Sequence, residues 1–212
     1  MPRIYLVRHA ESTWNSTGRY QGRIDTELSE LGEKQAEMVA QRLQTVALAA
    51  IYSRPLRRAF HTALGIALLQ ERDVHVEPDL TEIDHGAWSG LLKDEVEKRY
   101  GPMLQLWLES PSKVKMPGGE SLADVQRRAD GVINRLVEAH PQDSILVCTH
   151  DAVLKVIIAS ALGMSLDGFW NVRLDNASVS LIEYGGQVPR FHLLNDTCHL
   201  EGLVSQVAEQ AL

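Results

Sequence analysis

Ile4-Tyr5-Leu6-Val7-Arg8-His9-Ala10-Glu11-Ser12 is the stretch that decides how the rest of the chain is read. A short apolar run, β-branched and aromatic, stops abruptly at an arginine and a histidine. Ile4 to Val7 is predicted to be a buried strand. In open α/β folds, ligands bind beyond the carboxyl ends of such strands. An Arg-His pair there sets a fixed positive charge beside an imidazole, which is a nucleophile when neutral.

Working outward, residues 10 to 28 are polar and contain Asn15, Gly18, Gly22 and Asp25, the marks of a long loop. A long loop directly after a buried strand is often functional. Ser29 caps a helix whose inward positions are Ala36, Val39, Ala40 and Leu43. Ala49 to Tyr52 reads as a second strand. It ends in Ser53-Arg54-Pro55-Leu56-Arg57-Arg58, where Pro55 suits a first helical turn. Val74 to Val76 is a third strand. Leu80 to Leu92 is aperiodic and mixes Glu82, Asp84 and His85 with Trp88 and two glycines. Lys93 to Tyr100 and Met103 to Leu108 read as two short helices in an insertion, about residues 86–118, over one end of the sheet. Ser121 and Asp124 form a capping box for a helix with Val125, Ala129, Val132, Ile133 and Leu136 inward. Ser144 to Cys148 is another buried strand, ending in Thr149-His150-Asp151, and a helix from Val153 to Leu162 follows. Val179 to Glu183 and Arg190 to Leu194 flank Gly185-Gly186 as a hairpin. Strands alternate with helices, so the expected fold is α/β. It is a three-layer αβα sandwich on a mostly parallel sheet, in a single domain over residues 1–212.

The chain has 212 residues, 44% of them apolar, enough for a sizeable core. Its formal charge of −7 argues against nucleic acid or an anionic membrane surface as partner. Against that background, a local cluster of arginines points to a small anionic ligand. No leader pattern opens the sequence, and no apolar span reaches the roughly 18 residues of a membrane helix. Cys148 and Cys198 form no CxxC and read as reduced thiols of a cytoplasmic protein.

Two buried strands end in histidine, His9 and His150, and a third ends in a turn that places Arg58 near a helix N-terminus. If these strands are parallel, their ends converge. Arg8, Arg58, two imidazoles and a helix N-terminus together suit a dianionic phosphate, because arginine's planar fork matches phosphate oxygens. Taken singly, each has a plain structural alternative: a capping histidine, a solvated arginine pair, a surface carboxylate at Glu82. No aspartate-rich or Cys/His cluster suggests a metal site, and no cofactor is called for.

Leu6-Val7-Arg8-His9-Ala10-Glu11 resembles the signature of the histidine phosphatase superfamily, in its phosphoglycerate mutase-like branch. Further marks follow in family order: Asn15, Tyr20-Gln21-Gly22, Leu28-Ser29-Glu30-Leu31-Gly32, Tyr52-Ser53-Arg54-Pro55-Leu56-Arg57-Arg58, Glu82 with Gly86-Ala87-Trp88-Ser89-Gly90, Gly118-Gly119-Glu120-Ser121 and Thr149-His150. The resemblance implies that His9 takes the phosphoryl group while Arg8, Arg58 and His150 hold its oxygens. It implies that Asn15, Gln21 and Gly22 border the phosphate, and that Glu82 is the general acid and then the base. One departure is that the family usually has two glycines after the distal histidine and an arginine soon after. Here Asp151, Ala152 and Lys155 stand there, and Asp151 is a candidate to share the acid role or touch substrate.

Glu82-Ile83-Asp84-His85-Gly86, Gly119-Glu120-Ser121-Leu122-Ala123, Asp175-Asn176-Ala177-Ser178 and Asn195-Asp196-Thr197-Cys198-His199-Leu200 are similar to the bacterial metal-independent phosphoserine phosphatases. That likeness implies hydrolysis of L-phosphoserine, the last step of serine biosynthesis, with His85 and His199 recognising the amino-acid part. It also allows a homodimer, with the apolar strand Val179 to Ile182 as a candidate surface. Phosphoglycerate mutase, a sugar or nucleotide-loop phosphatase, and an inactive phosphate-binding module are the alternatives.

Overall fold

The computed structural model describes residues 1–205. Its strands are β1 (Arg3–Arg8), β2 (Ala50–Ser53), β3 (Val74–Val76), β4 (Ser144–Thr149), β5 (Val179–Glu183) and β6 (Arg190–Asp196). They form one six-stranded sheet in the order β3-β2-β4-β1-β5-β6. The first four in sequence run parallel, while β5 is antiparallel to β1 and β6 to β5. The helices are α1 (Glu30–Leu43), α2 (Arg57–Leu69), α3 (Lys93–Glu109), α4 (Leu122–Ala139) and α5 (Asp151–Leu162).

The layers follow from the two-residue period of a strand. Ile4 and Leu6 of β1, with Ile145 and Val147 of β4, join one core with Val125, Ala129 and Val132 of α4 and Val153, Val156 and Ile157 of α5. Val7 of β1, Leu146 and Cys148 of β4 and Ile51 of β2 join the other core, with Val39 and Leu43 of α1 and Ala63 and Ile66 of α2. Strands covered on both faces need apolar side chains on both, which is why they read as continuous apolar runs. Burying each such Ile, Leu or Val contributes about 1.5–3 kcal/mol. The αβα sandwich is thus present, with α1 and α2 on one face and α4 and α5 on the other.

Local chemistry sets the helix starts. Ser29 Oγ accepts from Gly32 N at 3.0 Å. Ser121 and Asp124 make the reciprocal box, Asp124 N donating to Ser121 Oγ at 3.3 Å and Ser121 N to Asp124 Oδ2 at 3.1 Å. Two expectations need correction. Pro55 stands outside α2, because Leu56 keeps an extended ψ of 128° and caps the helix. This delay places Arg58 at the second helical residue. The two short helices expected after residue 93 are present within α3, meeting at a kink at Tyr100 (φ −133°), two residues before Pro102. Proline lacks the amide donor and clashes with the carbonyl four residues back. The apolar segment Val179 to Ile182 is already covered: β5 lies between β1 and β6 within the sheet.

The connections place the crevice. β1 and β4 are neighbours, with Arg8 opposite Thr149. The chain leaves β1 for α1 on one face and leaves β4 for α5 on the other. Where neighbouring parallel strands lead to opposite faces, their carboxyl ends open a cleft. The next residues along each strand are His9 and His150. Among the described residues no helix is long and apolar enough to cross a membrane. Cys148 is buried, Cys198 is exposed, and both are free thiols.

Candidate active site

His9 is fixed at the backbone and at one ring nitrogen. Its amide donates to Thr149 O at 2.9 Å. Its carbonyl accepts from Asn176 Nδ2 at 3.0 Å and from Ala177 N at 3.3 Å. Ala10 N donates to Thr62 Oγ1 at 3.0 Å, tying the strand end to α2. The His9 Nδ1 lies 2.7 Å from Ala10 O. A carbonyl only accepts, so Nδ1 carries the proton and the lone pair is on Nε2. Burial first, then Arg58 and Arg8, hold this imidazole well below the ordinary histidine value. It is therefore a neutral imidazole among cations, with a free lone pair on Nε2.

His150 stands beside it, ring centroids 5.1 Å apart and planes at 62°. Among the described residues, neither nitrogen of the His150 ring has a hydrogen-bond partner, although both are buried. Burial, followed by Arg58 and His9, lowers its pKa too. Arg58 is 1% exposed. It donates from Nη1 to Ile24 O at 2.8 Å and from Nη2 to Gly22 O at 2.9 Å. Burial brings its pKa down to about 10, which leaves it a cation at neutral pH. Gly22 has φ +51°, and a Cβ there would stand 3.2–3.3 Å from Ser89 Oγ, His85 N and Ile83 O. Glycine lets two loops close around the guanidinium.

Glu82 is buried and its Oε1 accepts from Ile83 N at 2.8 Å. Burial pushes its pKa up; Asp151 adds to this, while the Ile83 amide, Arg58 and Arg8 oppose it without reversing the direction. The Glu82 segment is held from behind by Arg128 of α4. Arg128 donates to Asp79 O at 2.6 Å, Thr81 O at 2.5 Å and Glu82 O at 3.2 Å, and pairs with Glu120 at 3.1 Å. Glu120 in turn accepts from Asp84 N at 3.0 Å and pairs with Arg23 at 2.9 Å. Gly119 permits this approach, since a Cβ there would lie 2.2 Å from Asp84 O.

One cavity is lined by Arg8, His9, Asn15, Gln21, Gly22, Arg58, Glu82 and His85. Ser12 fixes the two amides: its N–H donates to Asn15 Oδ1 at 3.0 Å and its hydroxyl to Gln21 Oε1 at 2.7 Å. His85 is buried against the Tyr20 ring, centroids 5.1 Å apart, and burial takes its pKa to about 3. The other expected residues are placed differently. His150 backs His9. Asp151 is off the cavity wall, with Oδ1 3.3 Å from Arg8 and Oδ2 2.9 Å from Lys155. α5 begins at Asp151, and the i,i+4 spacing turns its carboxylate toward Lys155. His199 is also off the wall: its Nε2 lies 3.0 Å from Ala177 O, propping the turn that holds the His9 carbonyl. The turn Cys198–Leu200 packs on α1, which carries His199 away from the cavity. Among the described residues, no group of three or more His, Cys, Asp or Glu side chains is placed to hold a metal ion.

Sequence reasoning gave no role to Arg128 or Thr62, and quoted Glu120 and Asn176 only as parts of motifs. Arg128 carried a signal: it falls three residues after Val125 and four before Val132, on the inward stripe of α4. A charged residue on an apolar stripe needs a partner.

Fold and site define an α/β protein with a basic, histidine-centred pocket at a topological switch point. The model of the histidine phosphatase superfamily (branch 1) matches residues 4–197, and the chain belongs to that family. It is 43% identical to phosphoserine phosphatase 1 of Hydrogenobacter thermophilus over 94% of this chain and 95% of that one. Among solved structures, Bacillus stearothermophilus YhfR matches with a TM-score of 0.90 at 31% identity, over 94% of this chain and all of that one. A mutant phosphoserine phosphatase from Entamoeba histolytica, in complex with phosphoserine, matches with a TM-score of 0.86 at 28% identity, over 94% and 100% of the two chains.

Proposed function

We propose that this chain is a phosphatase that hydrolyses L-phosphoserine to L-serine and phosphate through a phosphohistidine at His9, without a metal ion. The observation that carries the reading is the Nδ1 contact of His9 to Ala10 O, which leaves Nε2 as the nucleophile between Arg8 and Arg58. Nε2 forms the N–P bond as the P–O bond to serine breaks. Glu82, whose raised pKa favours the protonated acid, gives its proton to the departing oxygen. A water then attacks phosphorus, its proton passes to the Glu82 carboxylate, and the N–P bond breaks to restore His9. Arg8 and Arg58 hold the phosphoryl oxygens, Asn15, Gln21 and Gly22 border them, and His150 supports the His9 ring from beside it. Fixed positive charge aimed at a spreading negative charge is the main source of rate in such transfers. Splitting one displacement into two easier steps supplies the rest.

The substrate assignment is supported by the likeness to two phosphoserine phosphatases and by His85 on the cavity wall. His85 faces the serine part of the substrate. The test is phosphate release from phosphoserine, phosphothreonine, 3-phosphoglycerate and sugar phosphates in excess EDTA. Highest kcat/KM on phosphoserine, unaffected by EDTA, is the expected result. Loss of activity in EDTA, preference for another ester, or conversion of 3-phosphoglycerate to its 2-isomer would overturn the reading.

A further inference from the structure

Asp151 directly follows His150, and Glu82 lies close enough to respond to its charge. That position invites the reading that it is a second proton donor. The contacts say otherwise. Each carboxylate oxygen faces a cation at ion-pair distance, Oδ1 3.3 Å from Arg8 Nη1 and Oδ2 2.9 Å from Lys155 Nζ, and among the described residues neither oxygen has a hydrogen-bond partner. The Lys155 ammonium is itself buried, 4.8 Å from the centroid of Phe169 and 4.9 Å from that of Trp170. Trp170 is fixed by its Nε1 donating to Trp107 O of α3 at 2.8 Å. A buried lysine costs stability unless it is paired, and here a carboxylate and two ring faces share it. Arg8 receives a second anchor from Leu174 O, 2.5 Å from Nη1. The guanidinium that lines the cavity is therefore gripped from behind at Nη1.

We infer that Asp151 is a positioning residue that aims Arg8 at the phosphoryl group, and that Lys155, caged by Phe169 and Trp170, holds Asp151 in place. The inference rests on the pocket being the phosphate site proposed above. It assigns the departure from the family pattern at residues 151 and 155 to one device, a buried Lys155–Asp151–Arg8 chain. Asp151 moves no proton in either half-reaction; Glu82 gives one in the first and takes one in the second.

A phosphate-binding measurement and a leaving-group comparison separate these roles. Loss of a general acid is masked when the leaving group departs unaided, as p-nitrophenolate does, and exposed when it is the serine alkoxide. Loss of arginine alignment harms both substrates alike. Asp151→Asn is expected to lower kcat/KM about 100-fold on phosphoserine and on p-nitrophenyl phosphate, in line with a small misplacement of a transition-state contact. It is also expected to weaken inorganic phosphate binding, read by calorimetry without turnover, by roughly 10-fold. Asp151→Asn leaves the Lys155 ammonium unpaired, so Asp151→Asn/Lys155→Met, which removes both charges, is measured alongside. Lys155→Met alone should show a smaller loss of the same kind. A variant that spares the aryl phosphate while losing phosphoserine would make Asp151 an acid and overturn the inference. So would unchanged phosphate affinity in both Asp151 variants. If the wild-type protein binds inorganic phosphate but releases none from any ester, the proposed function fails while the binding arm still judges the Arg8 alignment.

Discussion

Two concavities of the molecule have opposite character. One is a wide groove between α1 and α2, lined by Glu27, Glu33 and Glu37 along with Leu28, Ala36 and Leu68. The other is the narrower cavity at the ends of β1 and β4, lined by two arginines, two histidines and a buried carboxyl. The groove offers more room and more apolar surface, but its charged groups are exposed carboxylates that repel an anion. In the cavity, backbone carbonyls and buried countercharges fix each guanidinium before any ligand arrives. The difference teaches that charge sign, burial and fixed orientation mark the chemistry in this fold, and that concave volume does not.

The largest effect that would sharpen this contrast is at Glu82. Glu82→Gln keeps the shape and removes the proton, so kcat/KM on phosphoserine should fall about 10²–10⁴-fold. The pH profile gives the sign. Glu82 must be protonated, so activity falls as pH rises through its raised pKa, set by burial and Asp151 against Arg58 and Arg8. His9 must be neutral, so activity falls on the acid side only below the ordinary histidine range. Glu82→Gln should abolish the alkaline limb and keep the acid one; an alkaline limb that persists would assign it to another group.

His85 comes next. His85→Ala should raise KM for phosphoserine roughly 10-fold with a smaller change in kcat, and leave p-nitrophenyl phosphate nearly untouched. Equal damage to both substrates would remove it from recognition. Its burial has a second consequence. The folded chain takes up the His85 proton only near pH 3, the unfolded chain at about pH 6.5. Stability from the neutral ring is therefore complete above about pH 6.5 and drains as pH falls toward the folded value. His85→Gln should flatten that acid loss in urea unfolding followed from pH 7 to pH 4.

The smallest effect is expected in the groove. Glu37→Gln should leave kcat/KM within about 2-fold of wild type, as expected for an exposed side chain distant from the chemistry. A drop comparable to that of His85→Ala would break the contrast between the two concavities.

Most of the fold was legible because apolar runs covered on both faces end sharply at polar residues. That pattern placed β1, β4, His9 and His150 with no knowledge of tertiary contacts. The capping serines marked α1 and α4 for the same local reason. Glu82 was legible only by family resemblance, since nothing periodic surrounds it. Arg128 was hidden because its partners, the carbonyls of Asp79, Thr81 and Glu82, come from a loop more than forty residues away. Asp151 was misplaced because neighbourhood in sequence to His150 suggested the cavity. A helix start turned its carboxylate to Lys155, and the i,i+4 spacing that does this was visible in the sequence. His199 was misplaced because the packing of the last turn on α1 leaves no periodic trace.

The central claim is that His9 carries the phosphoryl group. Mixing the enzyme with phosphoserine, quenching in alkali where phosphohistidine survives, and mapping the modified peptide by mass spectrometry tests it directly. A phosphoryl group on the peptide containing His9, formed within one turnover and absent in His9→Ala, is the expected result. Turnover with no phosphoryl group on His9, or with one on a different residue, would contradict the account.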